Sequence, residues 1–185
     1  AVLDLGCKKS ILKNFSERGV YCKVFPAKTS FEKMHEWNPD GYFISNGPGD
    51  PASMDYAVNT VKEIIEKNIP VFGICLGHQI LARACDVSTY KLHNGHRGIN
   101  HPVKNLSSGK SEVTSQNHGF GVSMEEIKKS TSLELTHVNL NDDTVEGIKV
   151  KGKKAFSVQY HPESSPGPHD SRYLFDDFIN IIKGE

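Results

Sequence analysis

Short apolar runs alternate with helical patterns through the first half of the chain. Residues 2–5 form an apolar run, and Ile11, Leu12 and Phe15 then recur at helical spacing before a stop at Gly19. This strand-helix rhythm predicts a mostly parallel sheet with helices on both faces. The further predicted elements are strands at 20–25, 41–45 and 69–74, a helix at 31–37, and a helix capped by Ser53 or Asp55 that carries Ala57, Val61, Ile64 and Ile65.

The pattern changes after Ala84, where the apolar runs become shorter and richer in polar and β-branched residues. These runs predict antiparallel additions to the sheet, and an amphipathic pattern at 171–182 predicts a closing helix. We therefore expect residues 1–185 to form one α/β domain with an open, mostly parallel sheet. The predicted later strands lie near 87–92, 101–105, 112–115, 133–138, 144–150 and 155–159.

Composition narrows the class of protein. The chain has 22 basic and 22 acidic residues, and this zero net charge argues against nucleic acid or an anionic membrane surface as the main partner. No apolar stretch approaches the roughly 20 residues that cross a bilayer. Four cysteines without paired metal spacing favour a reducing, cytoplasmic compartment. Because residues 1–6 already resemble a core strand with no leader before them, we expect that further chain precedes Ala1.

The most informative stretch runs from Val71 to Gln79, where an apolar strand pattern changes into a helical one at Cys75. Gly73 and Gly77 flank the thiol by two residues on each side, which leaves room for the sharp turn of a nucleophile elbow. A helix N-terminus also favours negative charge on the sulfur and on an oxyanion. The alternative is an ordinary buried cysteine in a strand-loop-helix unit, and the two glycines favour the elbow.

A cysteine nucleophile needs a base, and ligands in open α/β sheets lie at the carboxyl ends of the strands. His161 follows the apolar run 155–160, and Glu163 comes two residues later across Pro162. We predict that Cys75 attacks a carbonyl, that His161 takes and returns the proton, and that Glu163 orients the imidazole. An isolated His-Pro-Glu is otherwise more often a loop with a surface carboxylate.

Two glycine-rich segments are predicted to be loops that complete the site. At 46–51, the N–H of Gly47 could join that of Leu76 in an oxyanion hole. At 117–121, backbone groups could meet a polar substrate, with Gln79 projecting from the helix after Cys75. Either segment could instead be a simple turn.

Metal binding and phosphate binding are weaker alternatives. Cys75 with His78, or His93 with His96 and His101, have spacings that could bind zinc, but no cysteine pair completes a site. We therefore predict no metal. A basic run at 149–154 is interrupted by a glycine, and a solvated hairpin is the simpler interpretation than a phosphate or nucleic-acid site.

Three motifs together resemble the class I, triad-type glutamine amidotransferases. These are the segments 72–79, 46–50 and 161–163, and the resemblance extends from residue 1 to about 182. Segments 95–103, 116–120 and 165–170 are similar to one branch of that family, the small chains of carbamoyl-phosphate synthetases.

The resemblance implies a flavodoxin-like fold and hydrolysis of L-glutamine through a thioester on Cys75. It implies that the ammonia passes to a large synthetase subunit for carbamoyl phosphate, and so for pyrimidine and arginine synthesis. ATP and magnesium would belong to that subunit, and no cofactor to this chain. The small chains also have an N-terminal domain, to which nothing here corresponds. The implied triad is Cys75, His161 and Glu163, the implied oxyanion donors are Gly47 and Leu76, and the implied glutamine-binding positions are Gly47, Gly49, Leu76, Gln79, Asn117, Gly119 and Phe120.

Two rival hypotheses stay open at this stage. Another class I amidotransferase or a γ-glutamyl hydrolase would share the elbow but not the segments 95–103 and 165–170. A glutamine-sensing or docking module without useful turnover is the rival from a different class.

Overall fold

A single nine-stranded sheet organises the computed structural model, which describes residues 1–185. The strand order is β2-β1-β3-β4-β9-β8-β7-β5-β6. The strands are β1 (Val2–Asp4), β2 (Val24–Pro26), β3 (Tyr42–Ile44), β4 (Val71–Ile74), β5 (Thr89–Asn105), β6 (Ser111–Val122), β7 (Leu133–Asn139), β8 (Val145–Val150) and β9 (Ala155–Val158).

The sheet has a parallel half and an antiparallel half that meet at β9. Strand β9 pairs in parallel with β4 and antiparallel with β8. The pairs from β2 through β4 are all parallel, and those from β8 through β6 are all antiparallel. The α/β fold with a parallel sheet and antiparallel additions, predicted from the sequence, is confirmed, although the antiparallel pairs are as many as the parallel ones.

Helices cover both faces of the sheet because each carries one apolar stripe. The helices are α1 (Lys9–Glu17), α2 (Phe31–His35), α3 (Asp55–Glu66), α4 (Leu76–Ala84), α5 (Met124–Lys129) and α6 (Tyr173–Lys183). Buried residues of α2, α3, α4 and α5 share one core. Those of α1 and α6 share the other, where Phe15 packs edge-on against Phe175 with ring centroids 5.2 Å apart.

Several predicted boundaries and element types were wrong. Strand β2 begins at Val24 rather than residue 20, and the predicted runs 87–92 and 101–105 belong to one long strand, β5. The segment 117–121, predicted to be a loop, lies within β6 and pairs with β5. Helix α5 was not predicted; Ser123 caps it by accepting a hydrogen bond from the Glu126 N–H.

None of the helices is both long enough and apolar enough to span a membrane.

Candidate active site

Cys75 occupies the turn between β4 and α4 in a conformation that non-glycine residues rarely adopt. Its φ of 55° and ψ of −104° mark the strained backbone of a nucleophile elbow. Gly77 lets α4 approach β3 closely, because a Cβ at that position would lie 2.0 Å from the Ile44 carbonyl oxygen. The turn therefore directs the thiol away from β4 at the carboxyl edge of the sheet.

His161 lies beside Cys75 because β9 is the neighbour of β4. The Cys75 N–H donates to the Val158 carbonyl at 3.0 Å, which joins the elbow to the end of β9. Three residues further on, His161 Nδ1 lies 2.9 Å from Glu163 Oε2. Since a carboxylate only accepts, Nδ1 carries the proton and Nε2 is left for the thiol. Cys75, His161 and Glu163 thus come together in the arrangement that the sequence predicts.

The electrostatics of this trio favour a protonated imidazole. Burial lowers the pKa of His161, but hydrogen bonds and attraction from Cys75 and Glu163 outweigh burial and raise the pKa to about 10. Burial opposes ionisation of Glu163, yet its bonds to His161 and Lys8 hold the pKa of the carboxyl below its usual value. Glu163 therefore remains a carboxylate although it is fully buried.

Lys8 is a member of this cluster that sequence reasoning missed. Its Nζ lies 2.7 Å from Glu163 Oε2 and donates to the Ser165 carbonyl at 3.0 Å. Its backbone N–H donates to Asn46 Oδ1 at 3.2 Å. Because Lys8 follows β1, the rule that places His161 after a strand would have found it as well. The ammonium compensates the buried charge of Glu163, and the backbone N–H joins Lys8 to the loop after β3.

Gly47 and Leu76, the predicted oxyanion donors, each have a backbone N–H that the fold leaves without a regular partner. The Gly47 N–H has no protein acceptor, and Leu76 is the first residue of α4, so its N–H has no partner within the helix. A Cβ on Gly47 would lie 1.8 Å from the Leu5 carbonyl oxygen, so only glycine fits against β1.

The segment of β6 that holds Asn117, Gly119 and Phe120 forms the wall opposite the thiol. Cys75 Sγ lies 3.8 Å from the Asn117 carbonyl oxygen. Gln79, from α4, donates through Nε2 to the Phe120 carbonyl at 2.9 Å and to Gln159 Oε1 at 3.1 Å. Gln79 therefore positions the wall.

These residues line one open cavity of about 910 Å³. Three cations, Lys8, Lys91 and Arg97, also line it, and no carboxylate does. Such a lining favours a small ligand with an anionic end. The predicted site residues that line the cavity are Gly47, Gly49, Cys75, Gln79, Asn117, Gly119, Phe120 and His161.

Neither zinc set predicted from local spacing converges on one point, although the ring centroids of His96 and His101 lie 5.5 Å apart. His78 is buried with Nδ1 2.8 Å from Ser157 Oγ, and His93 is exposed on β5 whereas His96 is buried. His96 instead meets His118 and Glu146, residues distant in sequence.

The sequence matches the family model described as "Glutamine amidotransferase class-I" over residues 1–181. The chain is 54% identical over 183 residues to the carbamoyl phosphate synthase small chain of Gracilaria tenuistipitata var. liui, covering 98% of this chain and 46% of that protein. It is 52% identical over 182 residues to the protein of the same name from Chlorobaculum tepidum, covering 97% and 49%. The chain thus spans about half the length of the curated relatives it matches.

A similar solved structure is that of a putative GMP synthase subunit from Thermoplasma acidophilum. The TM-score is 0.83 at 22% identity, covering 99% of this chain and 92% of that one. This likeness shows the α/β fold that the sequence predicts.

Proposed function

Because this chain belongs to the class-I glutamine amidotransferase family, we propose that it hydrolyses L-glutamine to glutamate and ammonia through a thioester on Cys75. The observation that carries the proposal is the elbow at Cys75 facing a histidine whose other nitrogen is bonded to the buried carboxylate of Glu163. That arrangement suits acyl transfer by a thiol.

The first half of the reaction forms the acyl-enzyme. The Cys75 sulfur bonds to the carboxamide carbon of glutamine, and the carbonyl electrons move onto oxygen, where the N–H groups of Gly47 and Leu76 stabilise the charge. The carbon–nitrogen bond then breaks as His161 Nε2 gives its proton to the leaving nitrogen. Ammonia departs and a γ-glutamyl thioester remains.

The second half releases glutamate. His161, now neutral, takes a proton from a water molecule that attacks the thioester carbon. The carbon–sulfur bond breaks, glutamate leaves, and His161 again holds the proton beside the sulfur. Glu163 keeps the imidazole oriented through both halves.

The cationic lining of the cavity and the β6 wall support glutamine as the substrate. Lys91 and Arg97 suit its α-carboxylate, and backbone groups of Gly49, Asn117, Gly119 and Phe120 suit the polar substrate. Gln79 holds this wall in place.

The names of the relatives support a more specific destination for the ammonia. We infer that a carbamoyl-phosphate synthetase large subunit receives it and makes carbamoyl phosphate with ATP and magnesium, and that an N-terminal domain of the same protein completes this chain. The chain itself would use no cofactor. A cytoplasmic location suits the proposal, because Cys75 must remain a free thiol.

The test of hydrolysis is glutamate release by the purified chain, with mass spectrometry of Cys75 after exposure to a reactive glutamine analogue. We expect a labelled Cys75 and turnover that Cys75→Ser abolishes. Cys85→Ser is the matched control, since that thiol is also free but lies at the far end of α4. A folded sample with neither label nor turnover would favour the docking-module alternative.

The proposed transfer of ammonia to a large subunit is tested in a separate experiment. Adding a carbamoyl-phosphate synthetase large subunit with bicarbonate and ATP should yield carbamoyl phosphate that depends on glutamine and on Cys75. Turnover without carbamoyl phosphate would contradict this partner and leave the glutaminase proposal standing.

A further inference from the structure

A second cluster of polar side chains lies within the antiparallel half of the sheet. His96 on β5, His118 on β6 and Glu146 on β8 are all buried, and each offers one ligand atom within 4.8 Å of the others. The proposed hydrolysis assigns them no step. Buried charged or titratable groups require partners, so the hydrogen bonds of this cluster can be accounted for atom by atom.

The two histidines face each other with lone pairs. His118 Nδ1 lies 2.7 Å from the Phe120 carbonyl oxygen, and His96 Nε2 lies 2.7 Å from Asp142 Oδ2. Both oxygens only accept, so those nitrogens carry the ring protons. In neutral rings, His118 Nε2 and His96 Nδ1 therefore have no hydrogen, yet they lie 3.2 Å apart. Two lone pairs at hydrogen-bond distance repel each other unless a proton or a metal ion lies between them.

Other acceptors point to the same place. Gln116 Oε1 lies 2.8 Å from His118 Nε2, and its orientation is set because Gln116 Nε2 donates to Glu146 Oε1 at 2.9 Å. Asn139 Nδ2 donates to the same Glu146 oxygen at 3.0 Å. Glu146 Oε2 is buried without any partner. The cluster thus has an excess of acceptors.

We propose that His96 Nδ1, His118 Nε2 and a carboxylate oxygen of Glu146 bind a divalent zinc-type ion. A tetrahedral zinc with bonds of about 2.0–2.1 Å to nitrogen separates its ligand nitrogens by roughly 3.3–3.4 Å. The nitrogens of His96 and His118 are 3.2 Å apart, and His96 Nδ1 lies 3.7 Å from Glu146 Oε1. Little movement is needed to admit the ion.

The surroundings match those of a metal site in two further respects. Each histidine has its outer nitrogen held by a carboxylate or a backbone carbonyl, which fixes the tautomer that ligation requires. Once the ion displaces any proton from Glu146, the carboxylates of Glu146 and of Asp142, which is 43% exposed, supply two negative charges that balance a divalent cation.

The ion would join three strands close to the glutamine cavity. His118 binds the Phe120 carbonyl, which also accepts from Gln79. A metal bound here would link β5, β6 and β8 next to the β6 wall that faces Cys75. It would take no part in the chemistry at the thiol.

The test is a zinc titration of the chelator-treated chain by calorimetry, in a Cys75→Ser background that removes the catalytic thiol as a competing ligand. We expect one equivalent of zinc to bind and to raise the melting temperature. His96→Asn and Glu146→Gln should abolish this binding, and Asp142→Asn should weaken it by about 10- to 100-fold. His93→Asn, an exposed histidine on the same strand, is the matched control.

Cobalt substitution gives an independent readout. Cobalt bound by the two histidine nitrogens and a carboxylate oxygen should absorb visible light without a sulfur-to-metal charge-transfer band. Glu146→Gln retains acceptors for Gln116 and Asn139, and circular dichroism checks that it folds. The proposal would be overturned if the chain took up no zinc, which is the result expected when a proton alone occupies the cluster. It would also be overturned if His93→Asn and Glu146→Gln bound zinc with equal affinity.

Discussion

Glu163 carries its charge in the interior, and a single oxygen, Oε2, serves both His161 and Lys8. Its other oxygen, Oε1, has no protein partner. Loss of either cation therefore leaves a buried carboxylate poorly compensated. Lys8 is the more replaceable partner because its side chain is 34% exposed.

We expect Lys8→Met to lower kcat for glutamine hydrolysis roughly tenfold, which corresponds to about 1.4 kcal/mol of transition-state stabilisation. The reason is that Glu163 orients His161 less firmly without the ammonium. Steady-state kinetics measure the change. Lys9→Met, at the exposed neighbouring residue, is the control, and Lys8→Arg should recover part of the rate. Equal rates for Lys8→Met and Lys9→Met would contradict the role of Lys8.

His161 is expected to make the stability of the fold depend on pH. Its folded pKa of about 10 lies above the ordinary 6.5, so its contribution is fully present below pH 6.5 and is lost as the pH rises through about 10. Cys75→Ser should lower that pKa, because Cys75 supplies part of the attraction. NMR titration of the imidazole measures it, with His137 as the internal control. An unchanged His161 pKa in Cys75→Ser would contradict the coupling.

The residues of the proposed triad could be identified in the sequence because their chemistry restricts them. A cysteine between paired glycines at a strand end, and a histidine joined to a carboxylate through proline, each carry a local signal in the sequence. Lys8 carries only the weak signal of its position after β1, which Lys9 shares, and Lys8 becomes part of the site only through contacts that folding creates. The grouping of His96 with His118 and Glu146 could not be predicted for the same reason, because local spacing had suggested His93 and His101 as the partners of His96.

At the scale of elements, the largest surprise is β6. Its glycines suggested a loop, but pairing with β5 satisfies its backbone, and register shifts in that pairing accommodate the irregular stretch. The hydrogen bonds between β5 and β6 outweigh the loop preference of the glycines in β6. A short stretch of sequence does not show this pairing. Elements with strong apolar periodicity, such as α3 and α6, were predicted nearly to their ends.

The loop between β3 and α3 is expected to tolerate no side chain at its first glycine. Gly47→Ala should push this loop from Leu5, displace the oxyanion donor and lower kcat by about 10²- to 10³-fold. The change in kcat is measured by following glutamate release in a discontinuous assay. Asp50→Asn, in the same loop, preserves the cap on Ala52 and is the control. A Gly47→Ala enzyme with normal kcat would exclude this N–H from the oxyanion hole.

Helix α6 is held to β6 by hydroxyl groups that converge on Glu112. Tyr173 Oη donates to Glu112 Oε1, while Ser171 Oγ donates to Oε2 at 3.2 Å. Tyr173→Phe should reduce the free energy of unfolding by about 1–3 kcal/mol, because it removes a donor from a buried carboxyl. Urea unfolding measures this loss. Tyr21→Phe, with an 81% exposed ring, should change little, and equal effects of the two substitutions would contradict the anchor.

Across the whole molecule, charge is balanced overall yet uneven locally. The zero net charge coexists with a cavity lined by three cations and no carboxylate. Composition could not reveal this, because it records totals without positions.

The local field should make glutamine binding depend on salt. Raising ionic strength is expected to increase KM several-fold with kcat unchanged, since screening weakens attraction for the α-carboxylate. Glutaminamide, which lacks that carboxylate, is the matched control and should show a smaller increase. Equal salt dependence for the two compounds would exclude a role for Lys91 and Arg97.

The position of β9 at the junction of the two halves has a consequence for biosynthesis. A ribosome completes the elbow at Cys75 long before it adds β9, so the growing chain exposes the edge of β4 with its partner still missing. During that interval Cys75 has no neighbouring His161. Cys75 and His161 can therefore come together only after β9, the last strand to be synthesised, has paired with β4.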